Sequence, residues 1–249
     1  MTLLAVERIK LFTTRSPWWC ALITLGLVVG LAGMFAAAAP DGISMDVQTT
    51  QIGYQFGAAV IMVLAALSVT TEYRFGTIRT TFQAVPHRGS ALVAKTAVVA
   101  LLSLVIGEIA GFGAWGIAKL IRPQDNLALS TTADWINVAG VGVLFAFASV
   151  IAVAVGILIR HSAGAIALLL IYSLAAENLI QLIPKAGPKI HQWMPFNVAD
   201  KFLRGGGNLE QGRPLSDAPL SPGWALAYFA GFSIVLLAIA IGVAKKRDA

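Results

Sequence analysis

Two carboxylates in this sequence stand where carboxylates are costly. Glu108 and Glu177 each lie inside a long apolar block. A charged side chain at membrane depth costs about 3 kcal/mol or more unless it is paired or hydrogen-bonded. No Lys or Arg lies deep in any block to pair them. Glu108 is 13 residues beyond Lys95, and Glu177 is 15 beyond Ser162. At about 1.5 Å per helical residue, both stand about 20 Å from one membrane boundary. They are the candidate pathway residues: a polar patch at one level, attractive to cations. The plain alternative is a structural carboxylate hydrogen-bonded to neighbours such as Ser173 and Asn178, or a helix broken near Gly107 and Gly111.

Other chemistry fails on spacing. The histidines are His87, His161 and His191, and none forms a helix-spaced pair with a carboxylate. No HExxH or GxSxG occurs. An intramembrane hydrolase needs a nucleophile with its base, or clustered metal ligands. No catalytic or metal-binding residue is therefore expected. The single cysteine, Cys20, excludes an internal disulfide. No GxxxxGK[ST] loop occurs, and that loop is what cradles ATP phosphates. The chain is expected to bind no cofactor of its own.

The elements that hold these residues are membrane spans. Of 249 residues, 57% are hydrophobic and 12% charged, with a mean hydropathy of +0.79. A soluble domain carries about 25% charged residues. Six blocks are long enough to cross about 30 Å of hydrocarbon: roughly Trp18–Ala39, Gly53–Thr71, Thr96–Ala118, Ile136–Ile159, Ala163–Ile183 and Trp224–Ala244. Lipid offers the backbone no hydrogen bonds, and the blocks do not alternate as barrel strands do, so each is expected to be helical. Ala36–Ala39 resembles a signal-peptide cleavage site, but the apolar run before it exceeds the usual core of about 7–15 residues. The expectation is an all-α integral membrane protein, one transmembrane domain over 1–249.

Lys and Arg set the orientation. Segments 1–17, 72–95, 160–162 and 245–249 hold 11 of them in 49 residues, while 40–52, 119–135 and 184–223 hold 7 in 70. That bias puts both termini in the cytoplasm. The charges flank apolar blocks, so the net charge of +6 reflects topology and no nucleic-acid partner is expected.

Three segments are not spans. In 1–17, Val6, Ile9 and Phe12 share one helical face and Glu7, Arg8 and Lys10 the opposite one, with Arg15 beyond. This pattern suits an amphipathic helix on the inner membrane surface, broken by Pro17. The alternative is an ordinary positive flank. Segment 72–95 is too long for a tight helical hairpin. It is basic, yet Phe75, Ile78 and Phe82 recur at helical spacing. An apolar ridge there suits docking to a soluble partner, or dipping into the lipid interface. Segment 184–223 is Pro- and Gly-rich. Its Trp193-Met194-Pro195-Phe196 run suits an ordered lid, with a short helix over Phe196–Leu203. Gly26-x-x-x-Gly30 and Gly107-x-x-x-Gly111 match a small-residue packing motif.

Glu72, Gly76-Thr77, Pro86, Arg88 and Lys95 resemble the cytoplasmic loop of type-two ABC export permeases. The opening Glu7, Lys10-Leu11 and Arg15-Ser16-Pro17 is similar to the start of actinobacterial members. Glu177 followed by Met194-Pro195-Phe196 is similar too. The resemblance implies a bacterial plasma-membrane permease that exports drugs, lipids, peptides or glycans. It implies a second permease copy or close paralogue, and a separate ATP-binding subunit that carries ATP and Mg. It makes about Arg74–Val85 the coupling helix and Met1–Arg15 the interface helix. The expected ATPase-coupling residues are Glu72, Arg74, Phe75, Gly76, Thr77, Ile78, Arg79, Phe82, Pro86 and Arg88. An intramembrane enzyme, or a non-transporting membrane anchor or sensor subunit, is the competing function.

Overall fold

The computed structural model describes residues 3–40, 44–78, 81, 88–205 and 216–247. Helix α1 spans Leu3–Thr13 and α2 Ser16–Ala38. After a 3-10 turn at Thr49–Gln51 come α3 (Tyr54–Arg74), α4 (Arg88–Ile121) and α5 (Thr132–Ile159). The fifth span is α6 (Ser162–Ile171), a π-helical turn (Tyr172–Ala176) and α7 (Glu177–Ile180). Short helices α8 (Gly187–His191) and α9 (Pro195–Arg204) precede α10 (Pro222–Arg247). The protein is all-helical among its described residues, with six helices long and apolar enough to cross a membrane.

Local chemistry sets the ends. Pro17 occupies the first turn of α2, where a missing N–H costs nothing. Thr131 and Asp134 form a reciprocal capping box at the start of α5. Arg160 ends α5 in the left-handed conformation at φ 58°, and His161 Nδ1 accepts the Gly164 N–H to open α6.

Helix α5 is central. Its most apolar stretch is 67% buried, against 17% for the fifth and sixth spans. It packs against α3, α4, α6, α9 and α10. Missing side chains let α4 close on it. A Cβ on Gly107 would fall 2.6 Å from Gly142 Cα, and one on Gly111 would fall 2.5 Å from the Val138 carbonyl. The motif in α4 therefore packs within the chain. Gly26 and Gly30 in α2 have nothing within 4 Å of such a Cβ, so among the described residues that second motif packs nothing.

Helix α1 and the last turn of α10, the terminal helices, meet one end of the bundle, the termini end. Arg247 Nη1 donates to the Leu158 carbonyl, and the Lys245 side chain lies over Gly89. The opposite end is stitched by connecting segments. Arg122 donates to the carbonyls of Ala36 and Ala39, Met45 N–H to Asp125, and Gln48 to the Arg204 carbonyl.

Candidate functional site

Four charges meet at the termini end. Lys95, on α4, places Nζ 2.6 Å from Glu7 Oε2 and 2.9 Å from Glu72 Oε1. Lys10 reaches Glu7 Oε1 at 3.0 Å and Glu72 Oε1 at 3.4 Å, and donates to Thr81 Oγ1. Two carboxylates thus alternate with two ammonium groups, joining α1, α3 and α4. Glu7 is 5% exposed. Burial alone would raise its pKa, but Lys95 and Lys10 outweigh that and hold it below the usual carboxylate range. Burial would lower the Lys10 pKa, but Glu7 and Glu72 hold it above the usual ammonium range. Glu7 and Lys10 therefore turn onto the bundle, while Arg8 and Arg15 are exposed. Leu4, Ile9 and Phe12 on α1 are exposed as well.

The turn after α3 departs from the expected ridge. Phe75 is 72% exposed, whereas Ile78 is 5% exposed and packs into the core. One ridge carrying both is not formed. Gly76 takes φ 71°, and that reversal after α3 separates the directions of the two side chains. Arg74 lies over the Phe75 ring at 5.5 Å. Thr77 Oγ1 donates to the Glu72 carbonyl. Residues 77, 78 and 81 are helical. Arg79, Phe82 and Pro86 lie outside the described residues. Arg88 begins α4.

At the opposite end, helices α3, α5, α7, α9 and α10 line a half-open cavity of about 440 Å³. The π turn adds a residue to one helical turn just before Glu177 and so re-aims the side chains beyond it. Glu177 is 3% exposed. Its two oxygens accept the backbone N–H groups of Phe196 (3.1 Å) and Asn197 (2.9 Å). These are the second and third residues of α9, whose first residue, Pro195, has no N–H to satisfy. Glu177 is thus a remote cap for α9, aligned with the positive end of its dipole.

Two further clusters hold α9. Tyr54 Oη donates to Asp200 Oδ1, which also pairs with Arg204 Nε at 3.1 Å. Burial pushes the Asp200 carboxyl up, against the pull of Arg204 and the Tyr54 hydroxyl. Asn197 Nδ2 donates to Asp217 Oδ1, and His191 Nδ1 lies 2.8 Å from the same oxygen. Tyr54→Phe should leave a buried carboxylate short of one donor. We expect a loss of about 1–3 kcal/mol, read as lowered thermal stability. The loss should shrink in an Asp200→Asn background, because the two residues share one interaction.

Glu108 is not among the residues lining that cavity. Its side chain lies across Gly142 at the α4–α5 crossing, with no hydrogen bond or ion pair among the described residues. Glu177 stands in the last turn of its span, while Glu108 stands 13 residues before the end of its helix. The structure does not bring the two together. Lys95, Tyr54, Asp200, His191 and Asp217 were not singled out as site residues by sequence. Lys95 carried a signal, as the last residue of the loop motif that begins at Glu72. Tyr54 and Asp200, 146 residues apart, carried none.

The profile of the ABC-2 family transporter protein matches residues 3–176. No curated protein matches the chain. The matched stretch runs from the start of α1 through the π turn, so it contains Glu7, Glu72, Lys95 and Glu108. It covers well over half of the sequence, with four of the six apolar helices whole and most of the fifth. This chain therefore belongs to the ABC-2 transporter family, as a multi-pass membrane permease of an ABC system.

Proposed function

We propose that the chain is the pathway-forming subunit of an ATP-driven exporter, acting as a pair and powered by a separate ATPase subunit. The termini end faces the cytoplasm, where the excess of Lys and Arg belongs. Helix α1 lies in the inner interface with Leu4, Ile9 and Phe12 toward lipid. The turn after α3 receives the ATPase.

The observation that carries this reading is the build of that turn. An exposed Phe75 stands on a span whose last carboxylate, Glu72, is tied to both α1 and α4. A push on such a turn reaches three helices at once. The chain holds no phosphate loop, so the energy has to come from a partner. Glu108 and Glu177 remain the pathway candidates.

The test is co-expression with a Walker-motif ATPase subunit and purification through a tag on this chain. Mass measurement in nanodiscs should give two such permease units per complex. Phe75→Ser should insert into the membrane normally but recover the ATPase at a few-fold lower yield or with uncoupled activity. ATPase recovery and coupling at wild-type levels in that variant would rule out docking at this turn.

A further inference from the structure

The cavity under α9 has a charge balance opposite to that of the chain. The chain carries net +6. The described residues lining the cavity include three carboxylates, Glu177, Asp200 and Asp217, and one histidine, His191, with no Lys or Arg. Its remaining wall is mixed. Met62, Leu144, Leu174, Phe196 and Phe229 present apolar surface, while Gln55, Asn178 and Gln181 present amides.

Its acceptors are only half used. Asp200 takes its two internal partners through Oδ1, as does Asp217. Both Oδ2 atoms are without a hydrogen bond among the described residues. Asp217 is also open, with its side chain 37% exposed. Ser173 Oγ is buried and without a hydrogen bond among the described residues. Glu177 is held by two backbone N–H groups and, among the described residues, by no Lys or Arg. A volume of about 440 Å³ falls in the range of sites that enclose small organic ligands, about 300–1,000 Å³.

We propose that this cavity is a binding site for amphiphilic organic cations, with the charged group toward Asp217 and Asp200 and the apolar body against Met62, Leu144, Phe196 and Phe229. A cation entering here gains carboxylate acceptors in a partly water-excluded space, where charge pairing is stronger than in bulk water. The Phe196 and Phe229 rings add a face attractive to positive charge. An anion of the same shape meets three carboxylates and no Lys or Arg among the described lining residues, since the Arg204 that pairs with Asp200 lies outside the lining, and a buried charge left unpaired is strongly disfavoured. As a substrate site the cavity rests on the export reading above; as a binding site it does not.

The experiment uses full-length protein in nanodiscs, with empty discs as background. Tetraphenylphosphonium is the probe, measured by equilibrium dialysis. Tetraphenylborate, of the same shape and opposite charge, is the competitor. We expect saturable tetraphenylphosphonium binding that tetraphenylborate does not displace. Asp217→Asn should weaken it about tenfold, the weight of one charge-assisted contact. Ser173→Leu thrusts a larger apolar side chain into the cavity and removes no hydrogen bond to a described residue, so it should weaken binding at least tenfold. Absence of saturable binding would overturn the proposal. So would displacement by tetraphenylborate at equal concentration, or wild-type affinity in both variants. The comparison of the two ions needs only the wild-type chain, so a misfolded variant does not rescue the idea. Failure of ATPase recovery with cation binding intact would sink the export reading and leave this one standing.

Discussion

Lys95→Met is expected to be among the most damaging single substitutions in the termini half of the bundle. Lys95 makes the shortest ion pair of the cluster, 2.6 Å to Glu7, and a second at 2.9 Å to Glu72. Both carboxylates are largely buried, with side chains 5% and 13% exposed. Removing the lysine leaves them facing each other with only Lys10, which is itself 38% exposed. Breaking a buried pair from one side costs about 3–5 kcal/mol, mostly because the remaining charge has lost its partner. The expected reading is a large drop in thermal stability in detergent and release of α1 to protease. Neutralising all three, as Glu7→Gln, Glu72→Gln and Lys95→Met together, should cost less than Lys95→Met alone, since the one charge of the cluster then left is Lys10, whose side chain is 38% exposed and reaches water. A triple variant weaker than the single one would contradict this account.

The same cluster has a pH signature. The Glu7 pKa is held below its ordinary value of 4.5. Its contribution is complete above that value and is lost as pH falls from there through the depressed one. The Lys10 pKa is held above 10.5. Its contribution is complete below that value and is lost as pH rises through the raised one. Stability curves of the wild type should therefore fall away at both extremes. Lys95→Met should show a smaller fall on the acid side, because protonating Glu7 there relieves repulsion.

Gly107→Leu is expected to part α4 from α5. A Cβ at that position would lie 2.6 Å from Gly142 Cα and 2.9 Å from Phe145 Cδ2. Gly142 Cα is backbone and cannot rotate away, and Phe145 is fully buried. The helices must separate, at about 3 kcal/mol of strain and lost contact. Because α5 is the helix against which most of the bundle packs, the effect should reach the cavity as well. Gly116 lies on the same helix with nothing within 4 Å of a Cβ. Gly116→Ala should be neutral or stabilising by about 1 kcal/mol through helix propensity. Equal thermal stability of the two variants would show that the crossing is not set by glycine at 107.

Several features were legible from residue type alone. Six apolar blocks dictate six helices, because a backbone in lipid must satisfy its own hydrogen bonds. A buried carboxylate at 177 was legible as a residue needing partners. The short helix expected over Phe196–Leu203 lies within α9. Span ends were less legible. Helix α4 begins at Arg88 rather than near Thr96, because the polar turns beyond the apolar stretch continue the same hydrogen-bond ladder and hydropathy does not register them.

The divergence of Glu108 and Glu177 belongs to tertiary structure. Both are glutamates in apolar helices, at similar distances from a polar boundary. One lies across a glycine with no hydrogen-bond partner among the described residues; the other caps a helix 19 and 20 residues further on. Periodicity reports which face of a helix a side chain occupies, but not what that face meets. The π turn at Tyr172–Ala176 changes even the face, by one residue that no composition announces. Ile78 repeats the lesson at the other end, where the positive φ of Gly76 turns it inward and leaves Phe75 outside. The sequence by itself determined the six helices, through an energetic demand that each residue feels locally. Which carboxylate meets a cation, a helix end or a glycine was decided only in the packed bundle, because those partners come from helices distant in the chain.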